Sequence, residues 1–152
     1  MIVIDENGYP RKYDAVEQLI SDFCVKRIEV YRKRKQLKLK EWKFDLKKNI
    51  NKLIFVKAIN SGELALNKDE AELIDDIRAL KIEQISGKYE YLLTLGVRSC
   101  TLQKIKDLEA EIEKLKTTIE DYSKLSLAEL WKIDLAVVEK EWENFKQARY
   151  ND

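Results

Sequence analysis

The chain has 152 residues, of which 38% are charged and 45% hydrophobic, and it contains only four glycines and one proline. This composition excludes a disordered tail, argues against a sheet protein and favours long helices. No apolar run approaches the roughly 20 residues of a membrane span and no signal-peptide pattern opens the chain, so we expect a cytoplasmic protein without a membrane partner.

Residues 1–60 predict a short strand followed by one very long helix. Ile2–Asp5 has the pattern of a strand that enters a turn, which makes 1–12 a lead-in. Asp14 and Glu17 have the spacing of a capping pair, and nothing breaks a helix over 13–60, a length of about 70 Å. A helix of that length has to project as an arm. The apolar positions predicted to face a partner helix are Val16, Ile20, Phe23, Val30, Leu39, Trp42, Leu46, Leu53 and Val56.

Residues 61–100 predict a small helical tip. Gly62 suits the left-handed conformation that often ends a helix. Asn67 and Glu70 form a second capping pair in front of another helix. A short helix over Tyr89–Leu95 follows, and a glycine ends it.

Residues 101–125 predict a returning helix with a regular apolar seam, and Thr101 can cap its start. The seam repeats at spacings of three and four residues, as in a coiled coil. Its members are Leu102, Ile105, Leu108, Ile112, Leu115, Ile119 and Tyr122. Ser126 and Glu129 form a third capping pair, which begins an amphipathic helix over 126–152.

These elements predict an all-α fold, in which a long antiparallel coiled-coil arm carries a small helical globular tip. The charges are distributed unevenly along it. Residues 26–48 hold eleven basic and three acidic side chains, whereas residues 107–143 hold eleven acidic and five basic ones. Two compatible interpretations are solvated helix faces and two helices of opposite charge that lie against each other.

The sequence contains no recognisable catalytic or metal-binding constellation. It has no histidine, and its glycines stand too far apart for a phosphate-binding loop. Asp75 and Asp76 are adjacent, so on a helix they point in different directions and are expected to be solvated charges rather than metal ligands. Cys24 and Cys100 are expected to be buried reduced thiols. We therefore predict no catalytic residue, no metal site and no cofactor in this chain.

A basic run offers one candidate contact with nucleic acid. Arg32, Lys33, Arg34 and Lys35 follow one another in the long helix and could contact a DNA backbone. Trp42 lies nearby and could stack on a base, but it falls on the apolar seam, so packing against the returning helix competes with that role.

Several stretches together resemble one enzyme family, in the same order and over nearly the whole chain. The lead-in stretches are Ile4-Asp5-Glu6-Asn7-Gly8, Arg11-Lys12-Tyr13, and Phe23, Arg27, Tyr31 and Arg34-Lys35. The later ones are Phe55 to Gly62, Leu64, Leu66, Ala71-Glu72-Leu73-Ile74, Tyr89-Glu90-Tyr91-Leu92-Leu93, Ser99, Thr101, Leu102, Leu130-Trp131 and Asp134-Leu135. They resemble the last part of the DNA breakage-and-reunion region of type IIA DNA topoisomerases, above all the medium subunit of T-even-like phages and the matching region of the eukaryotic enzyme.

The resemblance implies the coiled-coil and exit-gate module of an ATP-dependent isomerase that passes one DNA duplex through another. Two subunits would meet at the tips of their arms and hold the dimer while the transported duplex leaves. The other implied partners are the remaining topoisomerase subunits or domains and DNA, and the intact enzyme would use Mg and ATP. In a phage, the protein would work in the host cytoplasm.

The resemblance places the dimer contact on the short tip helix and the residues after it. The residues assigned to it are Tyr89, Tyr91, Leu92, Leu93, Leu95 and Val97, with Ile74 and Ile77 as supports. Ordinary packing inside one tip is the competing interpretation. Because Tyr89 and Tyr91 are two positions apart, they face apart on a helix, and we expect one of them to reach the partner.

The chain departs from the family pattern in what it lacks. The family's catalytic tyrosine lies upstream of the lead-in, and the Arg149-Tyr150 dipeptide lies past the arm, where we take it as chance. The metal-binding and ATPase domains have no counterpart either, so we expect the isolated chain to be inactive. The alternative function is a free-standing antiparallel coiled-coil adaptor that binds a protein or an RNA through its basic helix.

Overall fold

A computed structural model describes residues 1–5, 7–85, 87–95 and 101–150. In these residues the fold is mostly helical with one two-stranded sheet, which confirms the all-α prediction. The chain divides into two compact units. Unit 1 consists of Met1–Lys38 and Ser123–Asp152, and unit 2 is Leu39–Tyr122. Among the residues described, no helix is long and apolar enough to cross a membrane.

Unit 1 begins with a hairpin of β1 (Ile2–Ile4) and β2 (Pro10–Lys12), which pair antiparallel. The side-chain oxygen Oδ1 of Asp5 accepts hydrogen bonds from two backbone N–H groups in the turn, at 2.9 Å each. Gly8 has a φ of +85°, which glycine adopts without strain. The sequence predicted β1 but missed β2, because Pro10-Arg11-Lys12 holds none of the β-branched or aromatic residues that are enriched in strands.

The long helix α1 (Val16–Ser61) begins later than the predicted residue 13, and its start differs from the prediction. The backbone N–H of Asp14 donates to the side-chain oxygen of Gln18 at 3.3 Å rather than to Glu17. At the other end Gly62 has a φ of +76°, as predicted for the residue after a helix.

In unit 1, α1 packs against the last helix, α5 (Leu127–Tyr150). Tyr31 is 2% exposed, and its ring stacks on that of Trp131 with the centroids 5.9 Å apart. Phe23 meets the same indole edge-on at 6.5 Å. Ser126 and Glu129 form the predicted capping box, since each backbone N–H donates to the other side chain, at 2.7 and 3.2 Å.

Unit 2 contains the other helices, α2 (Glu70–Ala79), the single turn α3 (Glu90–Leu93) and most of α4 (Leu102–Lys124), around one apolar core. The buried members of that core are Phe55, Val56, Ala58, Leu64, Leu73, Ile77, Ile82, Tyr89 and Leu92. In this unit α1 and α4 run antiparallel, because Lys57 pairs with Glu109 at 2.7 Å and Trp42 meets Tyr122 at 4.9 Å. Trp42 thus packs against the returning helix.

The predicted seam of α4 is correct at its centre and wrong at its start. Leu108 and Ile112 of α4 are buried, but Leu102 is 72% exposed and does not belong to the seam of this chain. The first part of the predicted α1 stripe is largely exposed, although Phe23 contacts Trp131. Its members, all at least half exposed, are Val16, Ile20, Phe23 and Val30.

Of the two helix caps predicted in unit 2, one is wrong and the other is confirmed. The predicted pair of Asn67 and Glu70 is wrong, because Asp69 is the N-cap of α2 and its side chain makes no capping bond. Thr101 caps α4 as predicted, since its hydroxyl accepts a hydrogen bond from the backbone N–H of Lys104 at 3.3 Å.

Candidate functional site

The residues predicted for the dimer contact fall into two groups. Tyr89 and Leu92 are 6% and 0% exposed and belong to the core of unit 2, so the competing interpretation of internal packing applies to them. Tyr91, Leu93 and Leu95 pack against the core but stay partly exposed. We call these three residues the tip surface. Val97 lies outside the described residues.

The single turn of α3 explains this division. The N–H of Leu92 bonds the carbonyl of Tyr89 at 2.8 Å, and the N–H of Leu95 bonds the carbonyl of Leu92 at 3.0 Å. One side of so short a turn faces the core, and the neighbouring positions face its rim. Tyr89 and Tyr91 accordingly differ in exposure, as their spacing predicts. The predicted supports Ile77 and Ile74 are fully and partly buried below them.

A polar network anchors the tip surface to α1. Asn51, only 5% exposed, donates from Nδ2 to the hydroxyl of Tyr91 at 2.9 Å and to the carbonyl of Glu83 at 3.3 Å. The hydroxyl of Tyr91 donates in turn to the carbonyl of Glu83 at 2.8 Å, and burial raises the pKa of that phenol. The Lys47 ammonium pairs with the Glu83 carboxylate. These hydrogen bonds fix the orientation of the Tyr91 ring within unit 2.

Sequence analysis missed Asn51, although a signal was present. It lies beside Lys52 in the otherwise apolar stretch Ile50–Val56, and a buried amide is kept where it satisfies other polar groups. Asn49, by contrast, is only partly buried, and its Nδ2 lies 3.5 Å from the Glu111 carboxylate.

Two of the four candidate DNA-contacting residues are engaged inside unit 1. Arg34 pairs with Asp134 at 2.5 Å and lies over the ring of Tyr31, 5.5 Å from its centroid. The Lys35 ammonium donates to the carbonyls of Ser123 and Leu125, at 2.8 and 2.5 Å. Arg34 thus connects α1 to α5, and Lys35 connects α1 to the junction of α4 and α5.

Arg32, Lys33 and Arg34 are all exposed, and Lys35 is half-buried. Arg34 and Lys35 are engaged with partners inside unit 1. A phosphate contact by the run of four stays a prediction, for which Arg32 and Lys33 are the better placed pair.

Asp134 is the centre of a charged cluster in unit 1. It accepts hydrogen bonds from the hydroxyl of Tyr31 at 2.6 Å and from Arg34, and these bonds lower the pKa of its carboxyl group. Burial and the same hydrogen bond raise the pKa of Tyr31. The geometry of this cluster suits a structural bond between α1 and α5.

The adjacent aspartates of α2 form ion pairs, and in the part of the chain that the structure describes no group of three acidic or thiol side chains could hold a metal ion. Asp75 pairs with Arg78 at 2.9 Å and Asp76 with Lys68 at 2.6 Å, so they are surface charges as expected. The prediction of a buried thiol is wrong for Cys24, which is free but only half-buried, and Cys100 lies outside the described residues.

The comparisons with known proteins identify the class of this helical chain. A family model for the A-type subunit of DNA gyrase/topoisomerase IV matches residues 1–136. The chain therefore belongs to this family, that of the type IIA topoisomerases.

Relatives with known names are similar over nearly the whole chain. DNA topoisomerase 2 of Arabidopsis thaliana is 28% identical, over 94% of this chain and 12% of the relative. DNA topoisomerase 2 of Acanthamoeba polyphaga mimivirus is 25% identical, over 89% of this chain and 12% of the relative. The chain thus spans about an eighth of the length of these relatives.

A solved structure shares the fold. The DNA-binding, cleavage and re-ligation domain of Plasmodium falciparum topoisomerase II superposes with a TM-score of 0.82 at 22% identity. The superposition covers 100% of this chain and 24% of the other. The whole fold of this chain therefore corresponds to about a quarter of that larger domain.

Proposed function

We propose that this chain is the coiled-coil and exit-gate module of a type IIA DNA topoisomerase, an isomerase that acts by ATP-dependent passage of one duplex through another. The observation that carries the proposal is the family match over residues 1–136 combined with a partly exposed apolar surface on a closed core. The intact enzyme would use Mg and ATP, and this chain would hold neither.

The tip surface is suited to a twofold contact between two copies. Its three side chains are apolar or aromatic, they rest on fully buried residues, and Tyr91 is held by Asn51. Aromatic residues on a rigid base contribute most to such contacts, because little conformational freedom is lost on association. Two copies that meet here would hold the dimer together while DNA leaves.

The remaining partners follow from the same proposal. The rest of the topoisomerase would carry the catalytic residues, and the exposed Arg32 and Lys33 would lie near DNA in the assembled enzyme. The isolated chain is then inactive, so that a relaxation assay with Mg and ATP shows no change in supercoiling. A phage source, and hence the host cytoplasm as the place of action, belongs to this proposal.

Sedimentation equilibrium at micromolar concentration tests the dimer contact. We expect the chain to dimerise and Leu93→Glu to abolish the dimer, because a buried unpaired carboxylate opposes association. Leu66→Glu is the matched control, since Leu66 is 49% exposed in the same unit and lies outside the tip surface. It should leave the dimer intact.

Two results would count against the exit gate. A monomer at every concentration would favour the free-standing adaptor that binds a protein or an RNA. A dimer that survives Leu93→Glu but is lost in Leu66→Glu would move the contact to another part of the tip.

A further inference from the structure

Helix α5 carries a second apolar seam that nothing in the described part of unit 1 covers. Leu135, Val138, Trp142 and Phe145 follow one another at spacings of three and four residues and are 48%, 61%, 55% and 53% exposed. We call these four residues the α5 seam. Trp142 and Phe145 stack with their centroids 5.6 Å apart. The seam is thus a continuous stripe with the period of a coiled-coil contact.

Exposure of this kind is concentrated in unit 1. Unit 2 exposes few of the large apolar side chains that the structure describes, namely Phe44, Leu66 and Leu102. Unit 1 exposes apolar residues on several of its elements, among them Ile2 at 72% and Val16 at 56%. Soluble proteins rarely leave so much apolar surface in contact with water unless a partner covers it.

The geometry of α5 shows why α1 does not cover the seam. Leu130 and Asp134 mark the side of α5 that faces α1, and Trp131 lies at the border between that side and the seam. After Asp134 the seam continues for a further ten residues or so, about three turns, and its side chains stay about half exposed throughout. A separate helix is the element whose side chains fit such a stripe.

A second copy of this chain is a poor occupant of the α5 seam. Lys132, Glu139 and Lys146 follow the seam along one edge at intervals of seven. A symmetric antiparallel pair would set Glu139 against Glu139 of the other copy and Lys132 against Lys146. A parallel pair would bring Asp134 near Glu139 and Glu141 near Lys146, so that one like-charge pair offsets one opposite-charge pair. Like charges oppose the antiparallel pair and the parallel pair gains nothing at its edges, so a helix of different sequence fits better.

The comparison with solved structures points to where that helix comes from. The entire chain matches 24% of a domain described as DNA-binding, cleavage and re-ligation, so in that protein the equivalent fold is joined to a much larger body. We propose that the α5 seam is the docking surface for an amphipathic helix in the remainder of the breakage-and-reunion region. The proposal rests on the proposed function, because it takes the chain to be one module of that enzyme.

The charges along the seam define the expected partner. It presents an apolar stripe to the four seam residues and places an acidic side chain opposite Lys132 and Lys146. It places a basic one opposite Glu139. Charge pairs at the edge would select this helix over others more than they would strengthen the contact.

Titration calorimetry of the full chain against the separately purified remainder of the breakage-and-reunion region, from the same source, tests the docking. Val138→Glu places a charge in the middle of the seam and should weaken binding by more than about tenfold. Val137→Glu is the matched control, because Val137 is equally exposed at 61% but points about 100° away on the helix. It should change the affinity by less than about twofold.

The outcomes separate this proposal from the exit gate. The Leu93→Glu variant should bind the remainder of the breakage-and-reunion region normally, although we expect it not to dimerise. Loss of the tip dimer alone therefore does not contradict the seam proposal. No binding by the unaltered chain, or equal effects of the two valine substitutions, would overturn it. The proposal would also be overturned if the chain formed a dimer that is lost in Val138→Glu but kept in Leu93→Glu. That result would mean that a second copy of the chain occupies the seam. Far-UV circular dichroism of each variant checks that the helices are intact.

Discussion

The adjacent leucines of α3 allow a sharp test of how the tip is built. Leu92 is 0% exposed, whereas Leu93 packs against the core from a partly exposed position. Replacing Leu92 by alanine removes three carbon atoms from the core, worth about 2.4 kcal/mol at about 0.8 kcal/mol per buried methylene. The cavity that remains adds to this loss, so we expect a total of about 3 to 4 kcal/mol. The same change at Leu93 should cost about 1 kcal/mol, because much of its side chain already contacts water.

Urea denaturation followed by far-UV circular dichroism measures both losses. With a denaturant slope of about 1 to 3 kcal/mol per molar, Leu92→Ala should lower the midpoint by more than about 1 M. The titrations need protein concentrations below the dissociation constant of any dimer, because association would stabilise the fold and mask the difference. If Leu93→Ala destabilised the chain as much as Leu92→Ala, the division of the tip into core and surface would be wrong.

Two further predictions concern unit 1. The lowered pKa of Asp134 means that its bonds to Tyr31 and Arg34 contribute stability above the pKa of an unfolded aspartate, about 3.9, and that this contribution is lost as pH falls through the lower folded value. Acid titration of unfolding should therefore show a shallower loss of stability below about pH 4 in Asp134→Asn than in the unaltered chain, and equal slopes would contradict the assignment. Ser126→Ala removes one half of the capping box and should cost about 1 kcal/mol, measurable by thermal unfolding, with Ser21→Ala as an exposed control of the same chemistry.

The sequence predicted best where a regular period coincided with burial. The seam of α4 from Ile105 to Tyr122 repeats without interruption, and Leu108 and Ile112 lie buried at its centre. Ser126 and Glu129 were found because a capping box depends only on residue type and a spacing of three. Both features are local, so no knowledge of the rest of the chain was needed.

Features that depend on residues far apart in the sequence could not be predicted from local patterns. The α1 stripe continues through Val16 and Ile20 with a correct period, but both side chains remain more than half exposed in the described chain. Periodicity shows that a face is apolar and leaves open what covers it. Asn51 and Tyr91 are forty positions apart in sequence, and only the folded tip brings amide and hydroxyl together. Leu92 and Leu93 are the same residue type, and only the path of the backbone through α3 decides which of the two side chains is buried.

The ammonium of Lys35 is bound by two carbonyl oxygens of the backbone, those of Ser123 and Leu125. Every residue type supplies a carbonyl, so evolution can replace both of these side chains without removing the acceptors. The donor has no such freedom, because only a long cationic side chain at position 35 reaches them. Among relatives, we expect position 35 to stay basic while positions 123 and 125 vary. Methods that infer contacts from correlated substitutions will therefore not detect this contact.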